Sequence, residues 1–197
     1  MNVGYNMNNY YDINYKEYIQ NTINCDMSHH YQKFIKYLPS NSKILDIGFG
    51  SGRDMIYFQS QGYIVEGIDT SIEFVNNMKS KGYNVKLESV EDMNYINKYD
   101  AIWACASLLH VKRKNLSKVF KNCNKALKEN GIFYCSFKYG NQEAIKDNRY
   151  FNYINEDIIN DLLKNNDFIV LDIYKSLDVR KERKTEEWIN IIIRKTT

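Results

Sequence analysis

The pattern of apolar and polar positions changes character near residue 43. Before it, Tyr11, Tyr15, Tyr18, Ile19 and Thr22 recur at helical spacing and predict a helix with one aromatic face. A second helix is expected over 28–38, ending at Leu38–Pro39. Beyond residue 43, short apolar runs alternate with amphipathic stretches. KILDIG (43–48), YIVEGID (63–69), NVKLES (84–89), YDAIWACAS (99–107) and GIFYCSF (131–137) read as strands. A helix over 52–61 stops at Gly62, and Thr70 with Glu73 predicts a capping box starting a helix that ends near Gly82. Leu116, Val119, Phe120, Cys123 and Leu127 form one helical face that stops at Asn130–Gly131. Ile158, Ile159, Leu162 and Leu163 mark a further helix, and DFIVLDIYKSL (167–177) and EEWINIIIRK (186–195) read as two longer strands.

Strands separated by single helices imply a parallel sheet covered on both faces, an α/β fold. The last two strands follow one another without a helix, which predicts an antiparallel hairpin at one edge. No repeat or linker interrupts the pattern. Residues 1–10 are polar and expected to be loose and flexible, with one domain over 11–197. At 197 residues, 44% hydrophobic and 26% charged, the chain is long enough to bury a full core.

Charge and composition narrow the classes further. A formal charge of +3 does not by itself argue for nucleic acid, since such proteins concentrate basic residues on one face. RKERK (180–184) reads as a solvated loop. Cys25, Cys105, Cys123 and Cys135 form no C-x-x-C pair, so reduced thiols and no metal site are expected. No apolar run approaches the roughly 18–20 residues of a membrane span. The polar N-terminus has no signal-like core, so a cytoplasmic protein without membrane partners is expected.

The chemistry concentrates in ILDIGFGSGRD (44–54) and VEGIDTS (65–71). A strand end followed by Gly48, Gly50 and Gly52 lets backbone N–H groups and a helix N-terminus approach a ligand. Asp69 ends the second strand 21 positions after Gly48, the offset at which an acid accepts ribose hydroxyls. A dinucleotide site calls for G-x-G-x-x-G, but Arg53 stands at the third glycine's place. Asp46, two residues before the first glycine, would repel pyrophosphate and suits a ligand carrying an ammonium group. These features favour S-adenosylmethionine over a dinucleotide.

ILDIGFGSGRD, VEGIDTS, SVEDM (89–93) and YDAIWACASLLHV (99–111), in that order, resemble the class I S-adenosylmethionine-dependent methyltransferases, more narrowly small bacterial tellurite-resistance-like methyltransferase-domain proteins. The resemblance implies a Rossmann-like three-layer αβα sandwich, its seven-stranded, mostly parallel sheet having the last strand antiparallel beside the sixth. It implies that Asp46, Gly48 and Gly50 surround the methionine moiety while Asp69 holds the ribose, with Arg53, Thr70 and Ser71 in the same cradle. Val90 and Glu91, or Asp92, would flank adenine, and Ala104–Cys105 would lie near the sulfonium. Residues 11–38 would form a helical lid, with Tyr11 and Tyr18 on its cofactor face. Phe49 and Ser89 depart from the family pattern, the latter leaving adenine without its usual aspartate.

The acceptor is less legible. ACAS after the fourth strand lacks the Asn/Asp-Pro-Pro-aromatic sequence of enzymes that methylate amino groups of nucleic acids or glutamine. Cys105 reads as a small residue lining the cofactor. His110 and Tyr139 are candidate acid–base residues. Lys138, Tyr139, Arg149, Tyr150 and Arg180 are candidate acceptor residues, whose bases suit a carboxylate or phosphate. The reading that results is a cytoplasmic S-adenosylmethionine-dependent methyltransferase, monomer or homodimer, acting on a small molecule. Its rivals are a tRNA-base methyltransferase with Lys112, Arg113 and Lys114 on a basic rim, a non-catalytic cofactor-binding partner module, and a dinucleotide oxidoreductase.

Overall fold

A computed structural model describes residues 7–164 and 166–196. Seven strands form one sheet: β1 (Lys43–Ile47), β2 (Ile64–Asp69), β3 (Val85–Leu87), β4 (Tyr99–Ala104), β5 (Leu127–Lys138), β8 (Phe168–Leu177) and β9 (Glu187–Lys195). Their order is β3-β2-β1-β4-β5-β9-β8. The first five are parallel, and β9 runs antiparallel between β5 and β8. The expected hairpin at the edge is therefore present, with its second strand inserted inward.

Alternation along the strands divides the core into two layers. Ile44, Ala101, Trp103, Ile132, Tyr134 and Ile192 face one side, against Phe34 of α2 (Ser28–Ile35), Met55 and Phe58 of α3 (Arg53–Ser60), and Phe74, Val75 and Met78 of α4 (Ile72–Ser80). Leu45, Ile102, Phe133, Cys135, Ile191 and Ile193 face the other side, against α5 (Arg113–Ala126) and α6 (Glu156–Lys164). Trp103 stacks on Tyr134 at 3.9 Å between ring centroids, and Phe34 packs against both.

Several boundaries differ from expectation. α1 (Met7–Thr22) begins four residues before Tyr11, so residues 7–10 of the stretch expected to be loose are helical. Residues 1–6 of that stretch lie outside the described residues. The second helix ends at Ile35 rather than 38. The cap of α4 is Ser71, not Thr70: its Oγ accepts the Phe74 N–H at 3.4 Å, and Glu73 closes no box. Ser71 also donates to Asp12 Oδ1 at 2.6 Å, so the cap is shared with α1. α5 stops at Ala126, and Leu127 already pairs with Tyr99. The ladder is then irregular before Ile132 pairs with Ala101, and Asn130 within that stretch adopts φ 60°.

The sequence reading missed a hairpin formed by β6 (Glu143–Lys146) and β7 (Arg149–Asn152). Its turn residues Asp147 and Asn148 both have positive φ, 50° and 57°. Two such residues suit the backbone twist of a two-residue hairpin turn.

Phe34 is fully buried and anchors α2 to the sheet. Phe34→Ala is expected to lower unfolding stability by about 3–5 kcal/mol in urea titrations. A loss below about 1 kcal/mol would mean that α2 is not part of the cooperative core.

Candidate functional site

The carboxyl ends of β1, β2 and β4 converge below α1. Gly48 and Gly50, at φ 70° and 51°, turn the chain out of β1. A Cβ on Gly48 would lie 2.5 Å from the Ser107 side chain, and one on Gly50 would lie 3.0 Å from the Tyr18 ring. Both positions thus require glycine for conformation and for space. The turn is tied to β2 by the Gly48 N–H on the Ile68 carbonyl, at 2.8 Å. Asp69 completes it: Oδ2 accepts the Gly50 N–H at 3.0 Å and Oδ1 the Ser71 N–H at 2.9 Å. Burial lifts this carboxyl to about 6 despite those bonds.

Asp46 lies beneath the turn, 2% exposed, and its Oδ2 has no hydrogen-bond partner. Burial raises its carboxyl well above the ordinary range; the Asp54 charge adds to this, Arg53 opposes it and Asp69 adds again. The turn therefore carries two buried carboxylates, Asp46 and Asp69, and an unpartnered oxygen.

Two cavities open at this edge. The first is lined by Tyr11 and Tyr18, Gly48 and Gly50, Asp69 and Thr70, Phe74, the 88–91 segment, and Ser107, Leu108, His110 and Val111. The second is lined by Tyr18, His30, Arg53, Cys105, the 176–180 segment, Trp188 and Asn190. Tyr18 belongs to both walls.

Of the residues singled out for a cofactor, Tyr11, Tyr18, Gly48, Gly50, Asp69, Thr70, Val90 and Glu91 line the first cavity. Asp46, Ser71 and Ala104 are buried behind it. Asp92 is exposed and lines neither cavity, whereas Ser89 does line the first. Arg53 and Cys105 belong to the second cavity. Arg53 forks onto Asp54 at 2.6 and 3.1 Å. The Cys105 thiol is pushed up to about 12 by burial, so it carries no nucleophilic thiolate at neutral pH.

The acceptor candidates separate. Arg180 lines the second cavity, its fork held on Asp178 at 2.9 and 2.6 Å. The other four line neither cavity. Lys138 is buried in an ion pair with Glu186 at 2.6 Å. Tyr139 donates to Glu156 at 3.0 Å beneath the Lys175 ammonium. Arg149 stacks on Tyr10, 4.0 Å from the ring centroid, and pairs with Asp147. Tyr150 bonds Glu143 and the Arg113 N–H. Arg149 and Arg180 therefore do not share a rim, because the β6–β7 hairpin carries Arg149 toward α1.

His110 is similarly committed. The Tyr150 carbonyl can only accept, so Nδ1 carries the hydrogen at 2.7 Å. Burial lowers the ring to about 4, so at neutral pH Nε2 is bare and accepts the Tyr11 hydroxyl at 2.7 Å. Both nitrogens are occupied, and the histidine joins the loop after β4 to β7 and α1. His30 is the histidine missed in the sequence. Its Nδ1 lies 2.9 Å from the Tyr174 hydroxyl, and burial lowers it to about 4, so the ring in the second cavity is neutral. Its place in α2, far from every motif, gave no signal.

Burial of Asp46 without a partner has a measurable consequence. A raised carboxyl holds its proton more tightly in the folded chain, so stability falls as pH rises from 3.8 toward the raised value. Asp46→Asn lacks that slope and is expected to be more stable than wild type near pH 7 by about 1–3 kcal/mol. The two converge toward acid pH in urea unfolding series, and a variant less stable at pH 7 would contradict the assignment.

The methyltransferase domain family matches residues 45–135, which hold the glycine turn, both carboxylates and β4. A phosphoethanolamine N-methyltransferase of Plasmodium falciparum (isolate 3D7) is 31% identical over 129 residues, 57% of this chain and 48% of that protein. The chain spans about half the length of the curated relatives it matches. In fold, it resembles the 1,6-didemethyltoxoflavin-N1-methyltransferase of Burkholderia thailandensis, solved with bound 1,6-didemethyltoxoflavin and S-adenosylhomocysteine. The TM-score is 0.81 at 18% identity, over 96% of this chain and 87% of that one. It also resembles the [4+2]-cyclase SpnF, with a TM-score of 0.74 at 14% identity over 98% and 96% of the two chains. The sheet order, with the glycine turn and the strand-end acid in their places, gives the chain the fold of the class I S-adenosylmethionine-dependent methyltransferases, and residues 45–135 match the methyltransferase domain family.

Proposed function

We propose that the protein transfers a methyl group from S-adenosylmethionine to a small molecule held in the second cavity. The observation that carries the reading is the unpartnered, buried Asp46 beside a glycine turn that also holds Asp69. Two acids at this turn disfavour a pyrophosphate and suit a ligand with an ammonium group and a ribose. The residues fit the cofactor: Asp46 would take the ammonium, the Gly48–Gly50 backbone the amino-acid tail, and Asp69 the ribose hydroxyls. Ser89, Val90 and Glu91 would flank the adenine, with Phe74 across the cavity. When bound, the cofactor supplies a methyl on a sulfonium whose departure needs no protonation.

The chain's own task is then alignment and exclusion of water. Tyr18 lines both cavities, so they adjoin there, and Cys105, directly after β4, lines the acceptor side. Tyr11, held by His110, and Tyr18 act as a lid on the cofactor cavity. Arg180 is anchored through Nε and Nη2 on Asp178, leaving its remaining edge for an anionic group on the acceptor. Relatives whose names include small molecules, phosphoethanolamine and 1,6-didemethyltoxoflavin, support that substrate class.

Calorimetric titration tests the cofactor: S-adenosylmethionine and S-adenosylhomocysteine are expected to bind with micromolar affinity, and Asp69→Ala to weaken both at least tenfold, about 1.4 kcal/mol. Binding of NADH alone would overturn the reading. With a carboxylate-bearing acceptor, Arg180→Lys is expected to raise acceptor KM about tenfold while cofactor Kd stays constant. An unchanged KM would remove Arg180 from acceptor recognition.

A further inference from the structure

The chain's positive charge is concentrated on one helix. The sequence holds 27 Lys and Arg against 24 Asp and Glu. α5 carries five of those bases and no acid, so acids outnumber bases in the rest of the molecule. Arg113 is spent on the hairpin, where its guanidinium bonds Asn152 Oδ1 and the Asn141 and Tyr153 carbonyls. The remaining four, Lys114, Lys118, Lys121 and Lys125, are exposed, and none forms an ion pair with a described residue. At 3.6 residues per turn they fall within an arc of about 60° and extend about 16 Å along the axis. Like charges three and four residues apart destabilise a helix, and no acid on α5 relieves them. An ordinary solvated face intersperses both signs; this one does not.

We infer that this lysine stripe is a docking surface for the phosphodiester backbone of a nucleic acid, separate from both cavities. One strand of a duplex advances about 3.4 Å per phosphate, so the stripe spans about five phosphates. An anionic membrane is the weaker match. An interfacial helix needs an apolar face free to enter the lipid, and Leu116, Val119, Phe120, Cys123 and Ala126 are all fully buried in the core. The geometry also leaves methyl transfer unobstructed. α5 starts two residues after Val111, at the rim of the first cavity, and ends where β5 begins, at the opposite edge of the sheet. A strand laid along the lysines touches the rim without covering the second cavity.

The test is fluorescence anisotropy of a labelled single-stranded RNA against the full-length protein, from about 50 to 200 mM KCl. Micromolar binding is expected, with log K falling against log salt at a slope of about −3, the value for four neutralised phosphates on a single strand. The quadruple variant Lys114→Gln, Lys118→Gln, Lys121→Gln, Lys125→Gln is expected to bind at least tenfold more weakly with a shallower slope. Its calorimetric affinity for S-adenosylhomocysteine should equal that of wild type, which separates this result from the cofactor reading and verifies that the variant is folded. A matched DNA oligonucleotide, phosphatidylserine vesicles and a poly-glutamate peptide serve as further arms. RNA or DNA binding lost in the variant supports the inference. Equal binding by variant and wild type, no binding at 50 mM KCl, or tighter lysine-dependent binding to vesicles or poly-glutamate would overturn it.

Discussion

The Asp54 carboxylate is the constraint on which the site depends. It sits at the start of α3, directly after the glycine turn, and accepts four hydrogen bonds from three elements. Arg53 supplies two, the Tyr31 hydroxyl of α2 one at 2.5 Å, and the Trp103 indole of β4 one at 2.8 Å. Burial alone would raise this acid; Arg53, Tyr31 and Trp103 together hold it below the ordinary carboxylate value. A charge can be kept in the interior only when its lone pairs are filled in this way, and removing a partner strands it. The cluster therefore locks the angle between the helix after the turn, the helix above it and the central strand. It also aims Arg53 into the second cavity.

Around that anchor the two remaining acids of the edge are left deliberately different. Asp69 is bonded by backbone N–H groups, whereas Asp46 has an oxygen with no partner. The Asp54 and Asp69 charges add to burial in raising the proton affinity of Asp46, and Asp54 alone of the three has a guanidinium in direct contact. A cationic ligand group at Asp46 would relieve the imbalance that the free protein carries. Stability is thus withheld at the position where the proposed cofactor would return it, which is how binding energy and folding energy become linked.

On the other side, the hairpin braces one wall of the first cavity. Arg113 clamps its base, His110 reaches its Tyr150 carbonyl, and the same imidazole receives Tyr11 from α1. Arg149, directly after its turn, stacks on Tyr10. The hairpin thus bridges the loop after β4 and the N-terminal helix, and it draws into structural contacts the very basic and aromatic residues that look like acceptor ligands in the sequence. A side chain in the right loop reaches a cavity only if no nearer partner claims it.

The sequence by itself determined the alternation of strand and helix, the antiparallel end of the sheet, and most of the residues that line the first cavity. These rest on local periodicity and on a turn whose members lie within one βαβ unit, where chain spacing and spatial spacing nearly coincide. Even there, single-residue choices escaped it: the cap is Ser71 rather than Thr70, and its hydroxyl also donates to Asp12, 59 positions away. Only the tertiary structure decided the second cavity. Its wall takes Tyr18 from α1, His30 from α2, Arg53 from α3, Cys105 from the end of β4 and Asn190 from β9. No period or spacing links residues so distant along the chain. Their meeting follows from the strand order, which inserts β9 beside β5, and from aromatic packing of the helices on Trp103 and Tyr134.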